Sequence, residues 1–185
     1  MARNRLSDPK KQLNVRNATP EDAARIAALS TRVYASTGME GYHPGTVLGQ
    51  IHNFPEGQFV VTVDDQIVGY CATFIIDAEL ALKPHTWLEI TGDGYASRHN
   101  PEGDWLYGME VCVDPDYRGY RLGQRLYNER KRLCDSLELK GIVFGGRLPT
   151  LAKRLPKYGT VENYIEQVKA KKARDPVLSF QLHNG

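Results

Sequence analysis

The sequence predicts a mixed α/β fold, a mostly antiparallel sheet flanked by helices. Three observations carry this prediction. Short runs of strand character interleave with segments in which apolar residues recur at helical spacing. The runs Phe59–Val63 and Ile67–Ile76 flank Asp64-Asp65-Gln66, a hairpin turn signal. A strand from Trp105 to Val113 ends at Asp114-Pro115 and leads through a short turn into a long amphipathic helix.

In chain order, Leu13 to Arg16 alternates apolar and polar residues, as a short strand does. Thr19-Pro20-Glu21-Asp22 is a helix start: a hydroxyl to cap, proline for the first helical position, and acids for the positive end of the dipole. Ile26, Leu29 and Val33 continue that helix to Tyr34, and a second short helix is expected around Val47, Leu48 and Ile51. After the hairpin, the polar, glycine-rich stretch near 77–104 is too long for an ordinary hairpin loop and reads as an inserted surface excursion. Leu122, Leu126, Leu133 and Leu137 mark one face of the long helix, and Ile142-Val143-Phe144 is a further strand. The segment RLPTLAKRLPKYG reads as a basic loop interrupted by proline. Val161, Tyr164, Ile165 and Val168 then mark a helix, and Asp175-Pro176 opens a last one. The expected order is β-α-α-β-β-β-α-β-α-α, with residues 1–12 a disordered arm and 13–185 one domain.

Composition narrows the class. In 185 residues, 24 Lys and Arg face 22 Asp and Glu, a net charge of +2. This is an ordinary globular chain, large enough to bury a core without disulfides or metal. The near-neutral balance gives no global argument for nucleic acid or an acidic membrane surface. The basic run from Lys169 to Arg174 sits at a helix end, where cations suit the dipole, and no interleaved aromatics accompany it. Cys71, Cys112 and Cys134 form no CxxC pair and read as reduced thiols of a cytoplasmic protein with no metal site. No apolar run approaches the ~20 residues that span a bilayer. Residues 1–12 lack the apolar stretch of a signal peptide.

The segment from Val111 to Leu126 carries the chemistry. Amides at the start of a helix have no acceptor inside it, and with the dipole they form an anion site. Gly119 and Gly123 allow close backbone approach, while Arg118 and Arg121 add charge and forked donors. The expected ligand is a pyrophosphate or polyphosphate, cradled by Arg118, Gly119, Tyr120, Arg121, Leu122, Gly123 and Gln124. Neither GxxxxGK[ST] nor a GxGxxG after the first strand is present, so two other phosphate-binding classes are excluded.

Val113-x-Pro115-x-x-Arg118-Gly119-x-x-x-Gly123 resembles the acyl-CoA signature Q/R-x-x-G-x-G/A of the GNAT superfamily of N-acyltransferases, and the element order matches that family from Leu13 onward. Arg118 and Gly123 match the ends of the pattern, whereas Arg121 replaces its middle glycine. An arginine is accommodated there if its φ is negative and its side chain points outward. Gly145-Gly146-Arg147-Leu-Pro and the segment from Asp175 to Gly185 resemble a GNAT subgroup often fused N-terminally to a carbon–nitrogen hydrolase (nitrilase-like) domain. A complete domain of the family would continue past Gly185 into two more strands, so five strands are expected here, with one edge unpaired.

The resemblance implies acetyl-CoA or another acyl-CoA as co-substrate, and direct attack of a small-molecule or protein amine on the thioester. Such an amine must first lose a proton. Glu110 is the nominated base, the alternative being a strand-face ion pair. Backbone amides of Val111, Cys112 and Val113 would hold the pantetheine arm and the developing oxyanion. The tyrosine that the family commonly places in its last helix as acid is replaced by Gln181 beside Phe180, leaving His183, Tyr107 and Tyr120 as substitutes. Tyr107 and Arg147 are nominated for acceptor binding, Arg147 equally for a structural ion pair. His85, Asp93, Tyr95 and His99 belong to the excursion and would line the acceptor pocket. Cys112 as a covalent nucleophile lacks a His or Asp at a telling spacing. The competing function is a catalytically weak acyl-CoA-binding module that regulates an attached carbon–nitrogen hydrolase. Homo-oligomer formation stays open.

Overall fold

Strand β1 (Leu13–Asn17) lies at one edge of a five-stranded sheet. β2 (Gln58–Val63), β3 (Gln66–Ile76), β4 (Trp105–Val113) and β5 (Ile142–Val143) follow it in space as in sequence. The pairings are antiparallel up to β4, and β4 runs parallel to β5. This computed structural model describes residues 12–35 and 37–184. The expected disordered arm therefore lies outside the described residues, apart from Gln12. The Gln12 amide donates to Asp64 Oδ1 at 3.1 Å, and the Asp64 amide donates back to the Gln12 carbonyl.

β2 and β3 are buried almost throughout, which explains their continuous apolar runs. Asp64 and Asp65 both have positive φ, 48° and 63°, the backbone of a tight hairpin turn whose twist matches the strands it joins. One face of the sheet is covered by α1 (Ala23–Tyr34) and α2 (Pro44–Asn53), whose Ile26, Leu29, Val47 and Ile51 pack with Tyr70, Phe74 and Met109. On the other face, Leu122 and Leu126 of the long helix Leu122–Ser136 pack with Phe59, Val61, Val68 and Cys71.

The start of α1 differs in detail from the sequence expectation. Pro20–Asp22 form a single 3₁₀ turn before the α-helix begins. Asp22 is the organising residue: its buried carboxylate accepts from Arg16 Nη1 at 2.6 Å and Nη2 at 3.0 Å, and from the Thr19 amide at 3.0 Å. The Arg16 fork holds the Asp22 pKa below the usual value of 3.8. A lowered native pKa contributes stability above the unfolded-state value, and that contribution is lost as pH falls through the native one. Asp22→Asn is accordingly expected to unfold at lower urea at pH 7, by about 1–3 kcal/mol. The gap to wild type should close below about pH 4; a gap that persists unchanged at pH 3 would contradict the ion pair as its source.

The stretch 77–104 carries more structure than a surface loop. Two short helices, α3 (Ala78–Leu82) and α4 (Trp87–Thr91), bury Ala81, Ile90 and Thr91. α4 starts in a capping box, with Thr86 and Glu89 bonding each other's amides. α5 (Leu122–Ser136) then returns the chain to β5.

Residues from Gly145 onward form a separate compact unit. It contains α6 (Leu151–Tyr158), α7 (Val161–Lys169) and α8 (Pro176–Asn184). α6 corrects the reading of RLPTLAKRLPKYG as a loop. Leu151, Leu155 and Tyr158 share one helical face, and Pro156 is tolerated near the end of a short helix, where it removes a single backbone bond. As expected, Asp175 opens α8: its Oδ1 accepts from the amides of Val177 and Leu178 at 3.1 and 3.0 Å. Its Oδ2 receives the hydroxyls of Thr150 and Tyr164. Among the described residues, no helix is long and apolar enough to cross a membrane, and no cluster of His, Cys, Asp and Glu is placed to hold a metal.

Candidate active site

The turn after β4 is built around Asp114. Its Oδ1 accepts from the Asp116 amide at 2.8 Å, and its carboxylate pairs with Arg32 of α1. Gly119 has φ +87°, a conformation that needs glycine, and Arg118 is extended before it. Arg121 has φ +58° and stands at the N-cap of α5. The condition stated for an arginine there, a negative φ, is not met. The residue takes a left-handed backbone instead, at a cost of about 1–2 kcal/mol. The first bond inside α5 runs from the Arg125 amide to the Arg121 carbonyl. The amides of Leu122, Gly123 and Gln124 thus have no intrahelical acceptor, and no side chain caps them. Arg118, Gly119 and Arg121 are exposed beside them, while Leu122 is buried and Tyr120 packs against the α5-side core.

The strand leading to this turn is open along one edge. β4 and β5 pair only at Leu106↔Ile142 and Tyr107↔Val143, so the two strands part beyond that point. The Asp114 amide donates across to Val68 of β3. By the alternation of antiparallel strands, the amides of Val113 and Val111 point to the opposite, open edge, and that of Cys112 points toward β3.

β4 also contains a bulge. Thr73 pairs with Gly108 and Ala72 with Glu110, leaving Met109 without a partner. The bulge reverses the alternation of side chains. A Cβ on Gly108 would point at Arg130 of α5, so a regular strand would aim Glu110 to that face too. Instead the Glu110 carboxylate emerges on the α1/α2 face. There its Oε2 accepts from the Tyr34 hydroxyl and, at 3.0 Å, from the Tyr42 hydroxyl. Burial, with the Glu110 charge beside it, pushes the Tyr42 hydroxyl well above its usual pKa, so it remains a donor.

Around this carboxylate, Trp87 of α4 stacks on Tyr42 and donates from Nε1 to the bulged Met109 carbonyl at 3.3 Å. Tyr107 is buried against Phe74, with its hydroxyl 3.1 Å from His85 Nε2. The excursion thus brings His85 and Trp87 onto β4. His99 is engaged elsewhere: it stacks on Phe54, and its Nδ1 accepts the Ile75 amide. Cys112 is buried, and burial beside Glu110 pushes its thiol well up, opposite to what a nucleophile requires. Arg147 and His183 lie exposed in the second unit. Sequence reasoning assigned no role beside Glu110 to Tyr34, Tyr42, Trp87 or Arg130.

A model of the Acetyltransferase (GNAT) family matches residues 25–145, which include β4, the turn and α5. The chain is 40% identical over 175 residues to the Probable hydrolase YhcX of Bacillus subtilis (strain 168), covering 95% of this chain but 34% of YhcX. It is 30% identical over 175 residues to the Uncharacterized N-acetyltransferase YkwB of the same organism, covering 94% of this chain and 77% of YkwB. Among solved structures it is similar to the GphF GNAT-like decarboxylase in complex with isobutyryl-CoA. That match has a TM-score of 0.74 and 23% identity, over 93% of this chain and 85% of GphF. The fold is GNAT-like, and the chain belongs to the GNAT acetyltransferase family.

Proposed function

We propose that this chain is an acyl-CoA-dependent N-acyltransferase, transferring an acetyl or similar acyl group to an amine by direct attack on the thioester. The observation that carries the proposal is the Glu110 carboxylate, turned by the bulge to the α1/α2 face and held by two tyrosine hydroxyls beside the open edge of β4. In this reading the pyrophosphate of CoA sits on the amides of Leu122, Gly123 and Gln124, with Arg118 and Arg121 alongside. The pantetheine arm runs along the open edge, bonding the amides of Val111 and Val113. Glu110 takes the proton of the incoming ammonium, directly or through water, and the free amine attacks the carbonyl; the C–S bond then breaks, and CoA leaves as the thiol with the proton that the attacking nitrogen sheds. Charge developing on the carbonyl oxygen is met by the edge amides. Tyr107, with His85, borders the acceptor.

The second reading is a catalytically weak acyl-CoA-binding module attached to a carbon–nitrogen hydrolase. It is favoured by YhcX, named a hydrolase, of which this chain spans about a third. The positions of Phe180 and Gln181, without the family's usual tyrosine, also favour it. Both readings place CoA at the same loop, and turnover separates them. Acetyl-CoA is titrated calorimetrically, and CoA release is then followed across a library of amines. Binding with amine-dependent release supports the enzyme; binding without release from any amine supports the module. Arg118→Ala is expected to raise the acetyl-CoA Kd about tenfold or more, the loss of a charged phosphate contact worth roughly 1.5–3 kcal/mol. An unchanged Kd would remove the loop from the site.

A further inference from the structure

Arg130 projects from the middle of α5 into the sheet and is 1% exposed. No ion pair to it is formed among the described residues, and its Nε has no hydrogen-bond partner. Burying a cation without a counter-charge is costly, so its contacts must compensate. Those contacts converge on the bulge. Nη2 lies 2.8 Å from the Glu110 carbonyl, 3.3 Å from the Ala72 carbonyl and 3.1 Å from Cys71 Sγ. Ala72 and Glu110 are the pair at which the β3–β4 register shifts. The ring of Tyr127, 5.1 Å from Cζ, takes up part of the remaining charge. Gly108 makes room: a Cβ there would lie 2.7 Å from Nη1 and 3.1 Å from Cζ.

We infer that Arg130 is a positioning residue for Glu110: it pins the bulge of β4 from the α5 face and so sets the face on which the Glu110 carboxylate stands. A bulge leaves carbonyls without ladder donors. Arg130 supplies a donor to carbonyls on both strands at that point, while Trp87 holds the Met109 carbonyl of the bulged residue itself. Without the guanidinium, the regular register becomes competitive, and in that register Glu110 turns away from Tyr34 and Tyr42. The catalytic importance of this placement rests on Glu110 as the base proposed above; the placement itself does not.

The test follows the Glu110 carboxyl directly. The 185-residue protein is labelled with carboxyl-¹³C glutamate, and the Glu110 resonance is assigned by its absence in Glu110→Gln. In Arg130→Met the resonance is expected to leave its wild-type position, as the Tyr34 and Tyr42 hydrogen bonds are lost. Arg130→Lys should move it part of the way back. Gly108→Ala, which crowds the guanidinium from the opposite side, should displace it too, and keeps the comparison available if Arg130→Met does not fold. In parallel, kcat should fall roughly tenfold or more with the acyl-CoA KM within about twofold, the signature of a misplaced reacting group rather than a damaged CoA site. A wild-type resonance in folded Arg130→Met, or in folded Arg130→Lys and Gly108→Ala together, overturns the inference whatever the rates. A displaced resonance together with a fully active Glu110→Gln would leave Arg130 as the pin and remove Glu110 as the base.

Discussion

Glu110→Gln is expected to reduce amine-dependent CoA release by about 10²- to 10⁴-fold, the contribution a positioned base commonly makes. Glutamine keeps the shape of the side chain, and its amide oxygen can still accept the hydroxyls of Tyr34 and Tyr42. What it loses is the capacity to take a proton from an ammonium. The affinity for acetyl-CoA should stay within about twofold, because the amides of Leu122, Gly123 and Gln124 and the exposed Arg118 are untouched. Steady-state release of CoA from wild type and variant, with calorimetric Kd for each, measures both quantities. Turnover within a few fold of wild type would assign the proton transfer to another group. The raised pKa of Tyr42 bears on the alkaline side of the same experiment. Both states are protonated below its usual value of 10.0; above it, the unfolded chain ionises first. The hydroxyl therefore stabilises the fold through the neutral range, and stability declines only as pH rises beyond that value.

Leu126→Ala should destabilise the protein by about 2–5 kcal/mol, the usual range for truncating a buried leucine. Leu126 is fully buried at the centre of the α5-side core, and α5 lies so close to β3 that a Cβ on Gly69 would be 3.3 Å from Leu126 Cδ1. For a chain of this size each kcal/mol lowers Tm by about 2–4 °C. Thermal and urea unfolding followed by circular dichroism measure the loss. Leu137→Ala, at a residue 40% exposed just after the helix, serves as the control and should stay within about 0.5 kcal/mol of wild type. Leu126→Ala should also bind acetyl-CoA more weakly, because the helix that loosens is the one whose first turn presents the free amides. A loss under 1 kcal/mol would mean that the core closes over the cavity and that α5 is held chiefly elsewhere.

The turn between β4 and α5 and most of the sheet were legible for local reasons. A turn, a cap or a strand is specified within a few residues, as Asp64-Asp65 specify the hairpin and Asp175-Pro176 the start of α8. Local rules misjudged α6, where the apolar face of Leu151, Leu155 and Tyr158 outweighs one proline. They also allowed Arg121 only at negative φ, whereas the chain takes the left-handed conformation there to enter α5. The partners of Glu110 were illegible for a different reason. Tyr34 and Tyr42 lie 76 and 68 residues away, and nothing near Glu110 in sequence singles them out as its donors.

By itself, the sequence determined the local frame of the candidate site: a strand, a glycine-bearing turn with Arg118, and a helix whose first amides lack acceptors. Each of these is a property of neighbouring residues and of helix geometry, and so can be read along the chain. Tertiary structure alone decided which way Glu110 points and what holds it. Strand alternation would have placed that carboxylate on the α5 face, and a single extra residue, Met109, reverses it. That reversal depends on Arg130 and Trp87, drawn from separate helices on opposite faces of the sheet. The orientation of the candidate base is thus a matter of packing between distant segments, which no local pattern encodes.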